Sequence, residues 1–287
     1  MSQLVVQEPP SAEADGPVAI RDLRLDLADM AALRLAVQAL ERSTLAGRLS
    51  AMAGKPIELI GQALPEQARG LITEAADRAL RTALHVALRT LPDLPAGEPR
   101  GRGHRDTTLV AASGALGGAF GLVTLPIELP ISTTLVLRAI AGIAREEGED
   151  LSDPETAFAC LQVFALGSRT ESDDLASSGY FAVRTALARS VSQAAKLAAG
   201  RAIADSAPGL VKLLAQIASR FGIVVSQKVA ASAVPVVGAL GGAAVNAAFM
   251  AHFRTVARAH FTVRRLERRY GREPVRDAYE EISRNLR

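Results

Sequence analysis

Residues 113–130 read SGALGGAFGLVTLPIELP, and residues 234–250 read VPVVGALGGAAVNAAFM. The hexapeptide GALGGA occurs in both, at Gly114–Ala119 and Gly238–Ala243. Each copy lies in a long run without a charged side chain: Thr107–Ile127, 21 residues, and Val229–Ala251, 23 residues. Gly114 and Gly118 are four apart, as are Gly117 and Gly121, and Gly238 and Gly242, with Gly241 beside the last pair. On a helix this spacing lines up a groove free of side chains, where another backbone can come close. Each helical glycine costs about 0.8–1 kcal/mol relative to alanine, which close packing must offset. The expectation is a glycine-lined contact between helices over 107–145 and 229–270, or of both with a shared partner helix.

The same runs reach the roughly 20 residues that a bilayer crossing requires. The first holds eight large apolar residues. At about −0.3 to −0.6 kcal/mol each, they total roughly −4 kcal/mol, against four glycines, three threonines, a serine and a proline. Insertion is near break-even, so a buried core hairpin is favoured, with reversible insertion and a stable span as alternatives. GALGGA lacks the lysine and Ser/Thr of a phosphate-binding Walker loop, and no strand precedes it.

Composition agrees with helices. Hydrophobic residues make up 49% of the 287, aromatics only 4%, and tryptophan is absent. The apolar mass is alanine, leucine and valine, which suits close helix packing better than sheet. A single cysteine, Cys160, leaves no intrachain disulfide and points to a reducing compartment. The first seventeen residues lack the pattern of a secretory signal and are expected to be a disordered tail. The net charge of +3 is too small to argue for nucleic acid, and the basic stretches lack interleaved aromatic platforms.

Helical spacing places Leu23, Leu27, Met30, Leu33, Val37 and Leu40 on one face of a helix within 18–45. A second helical pattern over 57–90 breaks at Pro65. Residues 91–106 are Pro/Gly-rich loop, and a helix then runs to Arg145, ended by Gly148. Ser152 or Asp153 caps the next helix, with Pro154 in its first turn and Gly167 at its end. Helices over 180–204, 209–232 and 236–270 follow, then a short one from Pro274. No period-two run occurs. The predicted architecture is all-α: a tail over 1–17 and one multi-helix domain over 18–287, with glycine-rich central helices.

Few polar residues stand out. Glu128 lies between Pro126 and Pro130, where a carboxylate is costly unless paired or solvated; Ser132, Thr133, a helix N-terminus or Arg138 are its expected partners. His252 and His260 share a helical stripe with Phe249, Phe253, Val256 and Val263, which reads as a buried seam. Arg254, Arg258, Arg265 and Arg269 lie opposite, as a basic surface able to meet anionic headgroups or an acidic partner. The histidines are eight apart, too far for a chelating pair, and no Cys/His cluster or nucleophile elbow occurs. No catalytic residue, metal or cofactor is expected.

The blocks SGALGGAFGLVTLPIELPISTTLVLRAIAGIAREEGEDLSDPETAFACLQVFALG and AVPVVGALGGAAVNAAFMAHFRTVARAHFTVRRLERRYG resemble the core and the C-terminal block of the bacterial EcsC family, and GKPIELIGQALPEQA is similar to its N-terminal part. The resemblance spans roughly 20–282. The residues carrying it are Gly114, Gly117, Gly118, Pro126, Glu128, Pro130, Arg138, Pro235, Gly238, Asn246, His252, His260, Phe261 and Glu267. It implies structural or binding roles for them, and a setting beside an ABC transporter linked to secretion. Some members are labelled peptidases, but no catalytic signature supports that here. The expected function is a non-enzymatic, lipid-binding helical protein, cytoplasmic or peripheral to the inner face of the membrane, with membrane lipid or a membrane protein such as an ABC transporter as partner. The alternative is a small-molecule-binding module or hydrolase, with a polar cavity formed by Glu128, Arg138, Asn246, His252 and His260.

Overall fold

The computed structural model describes residues 25–42, 44–90, 124–168, 178–199, 208–233 and 241–286. The chain is all-α, with ten helices and no strand among these residues. They are α1 (Leu27–Arg42), α2 (Leu45–Ala53), α3 (Ile57–Gln62), α4 (Glu66–Thr90), α5 (Leu125–Glu146), α6 (Pro154–Leu166), α7 (Gly179–Ala199), α8 (Pro208–Ser232), α9 (Gly241–Tyr270) and α10 (Arg272–Leu286).

The boundaries follow local chemistry. Thr44 starts α2, a helix the apolar spacing did not separate from α1: its hydroxyl accepts the Gly47 N–H at 3.0 Å. Gly54 closes α2 at φ 64°, in the left-handed region glycine tolerates. Asp153 caps α6, accepting the Glu155 N–H at 2.8 Å, with Pro154 in the first turn as expected. α5 keeps Pro130 inside its second turn. Its C-terminus passes through Gly148, φ 83°.

α6 is apolar all round and is therefore the centre: every residue from Thr156 to Leu166 is buried. Phe164 meets Phe221 of α8 at 5.0 Å and Phe253 of α9 at 5.1 Å between ring centres. α9 is the long axis beside it, in contact with α1, α2, α5, α6, α8 and α10. Glu128 near the start of α5 meets Asn246 near the start of α9, and Glu149 just past α5 meets Arg264 far along α9. The two helices therefore run side by side in the same direction. α8 runs opposite to α9, since Lys228 near its end packs on Phe249 near the start of α9. Asp29 at the start of α1 pairs with Arg265 and Arg269, and Arg48 after α1 reaches Thr255, so α1 also runs opposite to α9.

Of the glycines expected to line a central contact, Gly114, Gly117, Gly118, Gly121 and Gly238 lie outside the described residues, as does the 1–17 tail. Gly241 and Gly242 open α9. α5 and α9 do pack on each other.

Candidate functional site

Glu128 is the residue the sequence marked as expensive, and its partners come from far along the chain. Lys228 Nζ donates to Glu128 Oε1 at 2.6 Å, and Asn246 Nδ2 donates to the same oxygen at 2.9 Å. Three helices, α5, α8 and α9, thus meet at one carboxylate oxygen. Lys228 is only 4% exposed, and its ammonium also lies 4.9 Å from the Phe249 ring centre. Burial pulls the Lys228 ammonium below its ordinary value, and the attraction of Glu128 works against that shift. None of the expected side-chain partners serves Glu128. Ser132 donates to the Leu129 carbonyl at 3.2 Å, the Thr133 hydroxyl is buried without a partner, and Arg138 points to solvent.

The other polar candidates are engaged elsewhere. His252 donates from Nε2 to the Gly167 carbonyl at 2.7 Å, leaving Nδ1 buried and without a hydrogen bond. Burial lowers its pKa to about 4. His260 Nδ1 lies 2.9 Å from the Tyr180 hydroxyl, while its Nε2 is buried and unpartnered. Arg184 donates to that same hydroxyl at 3.1 Å. Burial, with Arg184 and Arg264 nearby, holds the imidazole well below its ordinary value. The histidines do form the buried seam expected of them, each through one of its two nitrogens. Of the five residues proposed for a polar cavity, the structure joins Glu128 to Asn246, gives each histidine a separate partner, and leaves Arg138 at the surface.

Sequence reading missed a second polar network because its members lie in unrelated segments. Glu41, buried at the end of α1, accepts Ser178 Oγ at 2.9 Å and Tyr279 Oη at 2.9 Å. Tyr279 of α10 stacks on Tyr180 at 5.4 Å, and Arg184 grips Glu267 through two bonds of 2.8 and 2.9 Å. Burial pushes the Tyr180 phenol up to about 12. It likewise pushes the Cys160 thiol up, so this buried cysteine is core rather than nucleophile. No group of three or more metal-ligating side chains comes together among the described residues.

The arginine stripe is not an open basic face. Arg258 pairs with Glu146 at 2.6 Å, Arg265 with Asp29 at 3.0 Å and Glu147 at 2.9 Å, and Arg269 with Asp29 at 2.8 Å. Arg264 holds buried Glu149 through two bonds of 2.9 Å, joined by Arg268. Burial would raise the Glu149 carboxyl, but these guanidinium groups outweigh it and hold the pKa below its ordinary value. The stripe expected to meet headgroups is largely spent on stitching α9 to α1 and to the end of α5.

Exposed large apolar side chains fall mainly in two places among the described residues: Leu27 and Leu35 stand out from α1 on the arginine side, and a larger group of five lies toward the opposite end. Ile127 (72% exposed) and Ile131 flank Glu128 on α5. Leu59 (62% exposed) lies on α3, which reaches the same end because its Gly61 sits beside Ser226 and Gln227, next to Lys228. Met52 in the last turn of α2 and Leu71 in the second turn of α4 adjoin α3 on either side. The two uncharged segments of the sequence lead into α5 and into α9 at this end.

A family model, the EcsC protein family, matches residues 30–266. The chain belongs to the EcsC protein family. Neither curated proteins nor solved structures provide a match to it. The EcsC match takes in the whole Glu128–Lys228–Asn246 cluster and both histidines, and stops before α10, which supplies Tyr279 to the Glu41 network. Among the described residues of this EcsC protein two helices, α5 at 22 residues and α8 at 25, are long and apolar enough to cross a membrane. About half of each apolar stretch is buried within the protein, as core helices are.

Proposed function

We propose that this EcsC protein is a non-enzymatic helical protein that seats one end of its bundle on the cytoplasmic membrane, lipid being its direct partner. The observation that carries the reading is the collection of Met52, Leu59, Leu71, Ile127 and Ile131 at the end where the uncharged segments join α5 and α9. Exposed apolar residues scattered singly need no explanation, whereas residues gathered at one end mark an interaction surface. Amphipathic surfaces of this kind bury their apolar face about 5–10 Å into the headgroup boundary. The apolar end replaces the arginine stripe as the contact surface, because Arg258, Arg265 and Arg269 are each paired with an acid of the protein.

The test is co-sedimentation of the full chain with protein-free phospholipid vesicles. Wild type should sediment with them, and Ile127→Glu/Ile131→Glu should weaken binding at least tenfold, since burying an isoleucine contributes about 1.5–3 kcal/mol. Both positions are exposed, so the thermal midpoint should barely move. Equal sedimentation of variant and wild type would exclude this end. Binding to native membranes but never to protein-free vesicles would assign the surface to a membrane protein instead, a transporter among the candidates.

A further inference from the structure

The arrangement around Glu128 has the form of an oxyanion site with an internal occupant. Two donors from different helices, Lys228 Nζ and Asn246 Nδ2, converge on a single oxygen at 2.6 and 2.9 Å. Lys228 and Asn246 are held inside the protein, at 4% and 1% exposure. The acid is the rim member: its side chain is 13% exposed, and its helical neighbours Ile127 and Ile131 face outward. The carboxylate can therefore turn out toward solvent while the donors stay in place. A buried ion pair is a weak source of net stability, and its best-attested use is as a switch or register device.

Resting on the membrane reading above, we infer that Lys228 and Asn246 form a binding site for the phosphate of an anionic lipid headgroup, occupied by the Glu128 carboxylate until the apolar end meets a bilayer. Seating Ile127 and Ile131 at the headgroup boundary brings Glu128 level with the phosphates. A phosphate diester offers the same kind of charged oxygen to the same two donors. When it takes the place of Glu128, the ammonium keeps a counter-charge and the carboxylate moves to water. Phosphatidylcholine carries the same diester but with a choline cation beside it that repels the Lys228 ammonium, so preference for anionic over neutral lipid then comes from a buried lysine.

The experiment compares vesicles of phosphatidylcholine alone with vesicles containing phosphatidylglycerol, using the full chain. Glu128→Gln removes the competing charge and should raise affinity for the anionic vesicles about fivefold, the worth of one cation near an anionic surface, and by less for neutral ones, whose phosphate already has a choline cation beside it. Glu128→Leu/Lys228→Met replaces the pair by apolar groups, an exchange that folded proteins often tolerate without loss. It should bind neutral vesicles like wild type and lose the anionic preference. If Glu128→Gln does not fold, wild type against this double variant still decides. Anionic preference unchanged in the folded variants, with neutral binding intact, overturns the inference and leaves the membrane reading standing. Absence of binding to either vesicle overturns both. Millimolar inorganic phosphate should leave the thermal midpoint of Glu128→Gln unchanged; a clear rise would assign the site to a soluble phosphate compound and overturn the lipid assignment.

Discussion

A Cβ placed on Gly167 would stand 2.6 Å from Cε1 of Phe253 and 3.1 Å from Nε2 of His252. The residue is at φ −72°, so its backbone suits any amino acid and the requirement is purely steric. Gly167→Ala should cost about 1–3 kcal/mol, the usual range for overpacking, with the His252 hydrogen bond disturbed as well. Gly222, inside α8, has nothing within 4 Å of a Cβ. Gly222→Ala should therefore stabilise by about 0.5–1 kcal/mol. Urea unfolding of the two variants checks both signs, and a Gly167→Ala protein as stable as wild type would refute the close approach. Glycine spacing in the sequence pointed to 114–121 and 238–242; the tight contact the structure describes involves a glycine legible only as a helix end. Glu128 was legible because a carboxylate among leucines and prolines needs a partner. Lys228 was not, because it sits 100 residues away among ordinary helical residues and only the fold brings it near.

At the scale of the helix, α9 shows what periodicity can and cannot say. The 100° spacing separated a seam of Phe249, His252, Phe253, Val256, His260 and Val263 from a face of arginines, and the seam is buried. What opposes the arginines depends on tertiary packing: Asp29 comes from α1, and Glu146, Glu147 and Glu149 from the end of α5 and just beyond. Burial then decides which pairs matter. The Arg258–Glu146 pair has both side chains about half exposed. Arg258→Ala should change stability by less than about 1 kcal/mol. Glu149 keeps only 4% of its side chain exposed under Arg264 and Arg268. Glu149→Gln leaves the mostly buried Arg264 without its counter-charge and should cost about 3 kcal/mol. Chemical denaturation of the two single variants tests the ranking, and equal costs would contradict it.

For the whole molecule, the Ala/Leu-rich composition made the all-α architecture readable, and most helix boundaries fell near Pro, Gly or a capping residue. The order in which helices pack was not readable, since no local signal places α3 against the end of α8 or α10 over Glu41. That packing has a consequence for acid stability. His252 and His260 are buried as neutral imidazoles, with the His252 pKa pulled down to about 4 and that of His260 held well below the ordinary 6.5. Above pH 6.5 both are neutral whether the chain is folded or not, so their contribution is fully present. As pH falls below 6.5 the unfolded chain takes up protons that the folded chain refuses, and stability drops until the folded-state values are reached. By pH 5 His252 alone withdraws about 2 kcal/mol, a large share of the ~5–15 kcal/mol typical of folded proteins, and His260 acts in the same direction. Glu149 and Asp29 act in the same direction at lower pH. Burial would raise both, but hydrogen bonds from Arg264 to Glu149, and from Arg265 and Tyr270 to Asp29, hold them below their ordinary values. Their stabilisation is lost only as pH falls through and beneath the usual carboxylate range. Urea unfolding at a series of pH values should therefore show a first loss between about pH 6.5 and 4 and a second below it. His252→Gln should flatten part of the first loss while leaving the second in place. A midpoint unchanged between pH 7 and 5 would mean that the two imidazoles can take a proton within the fold, and that the seam of α9 is not closed to charge.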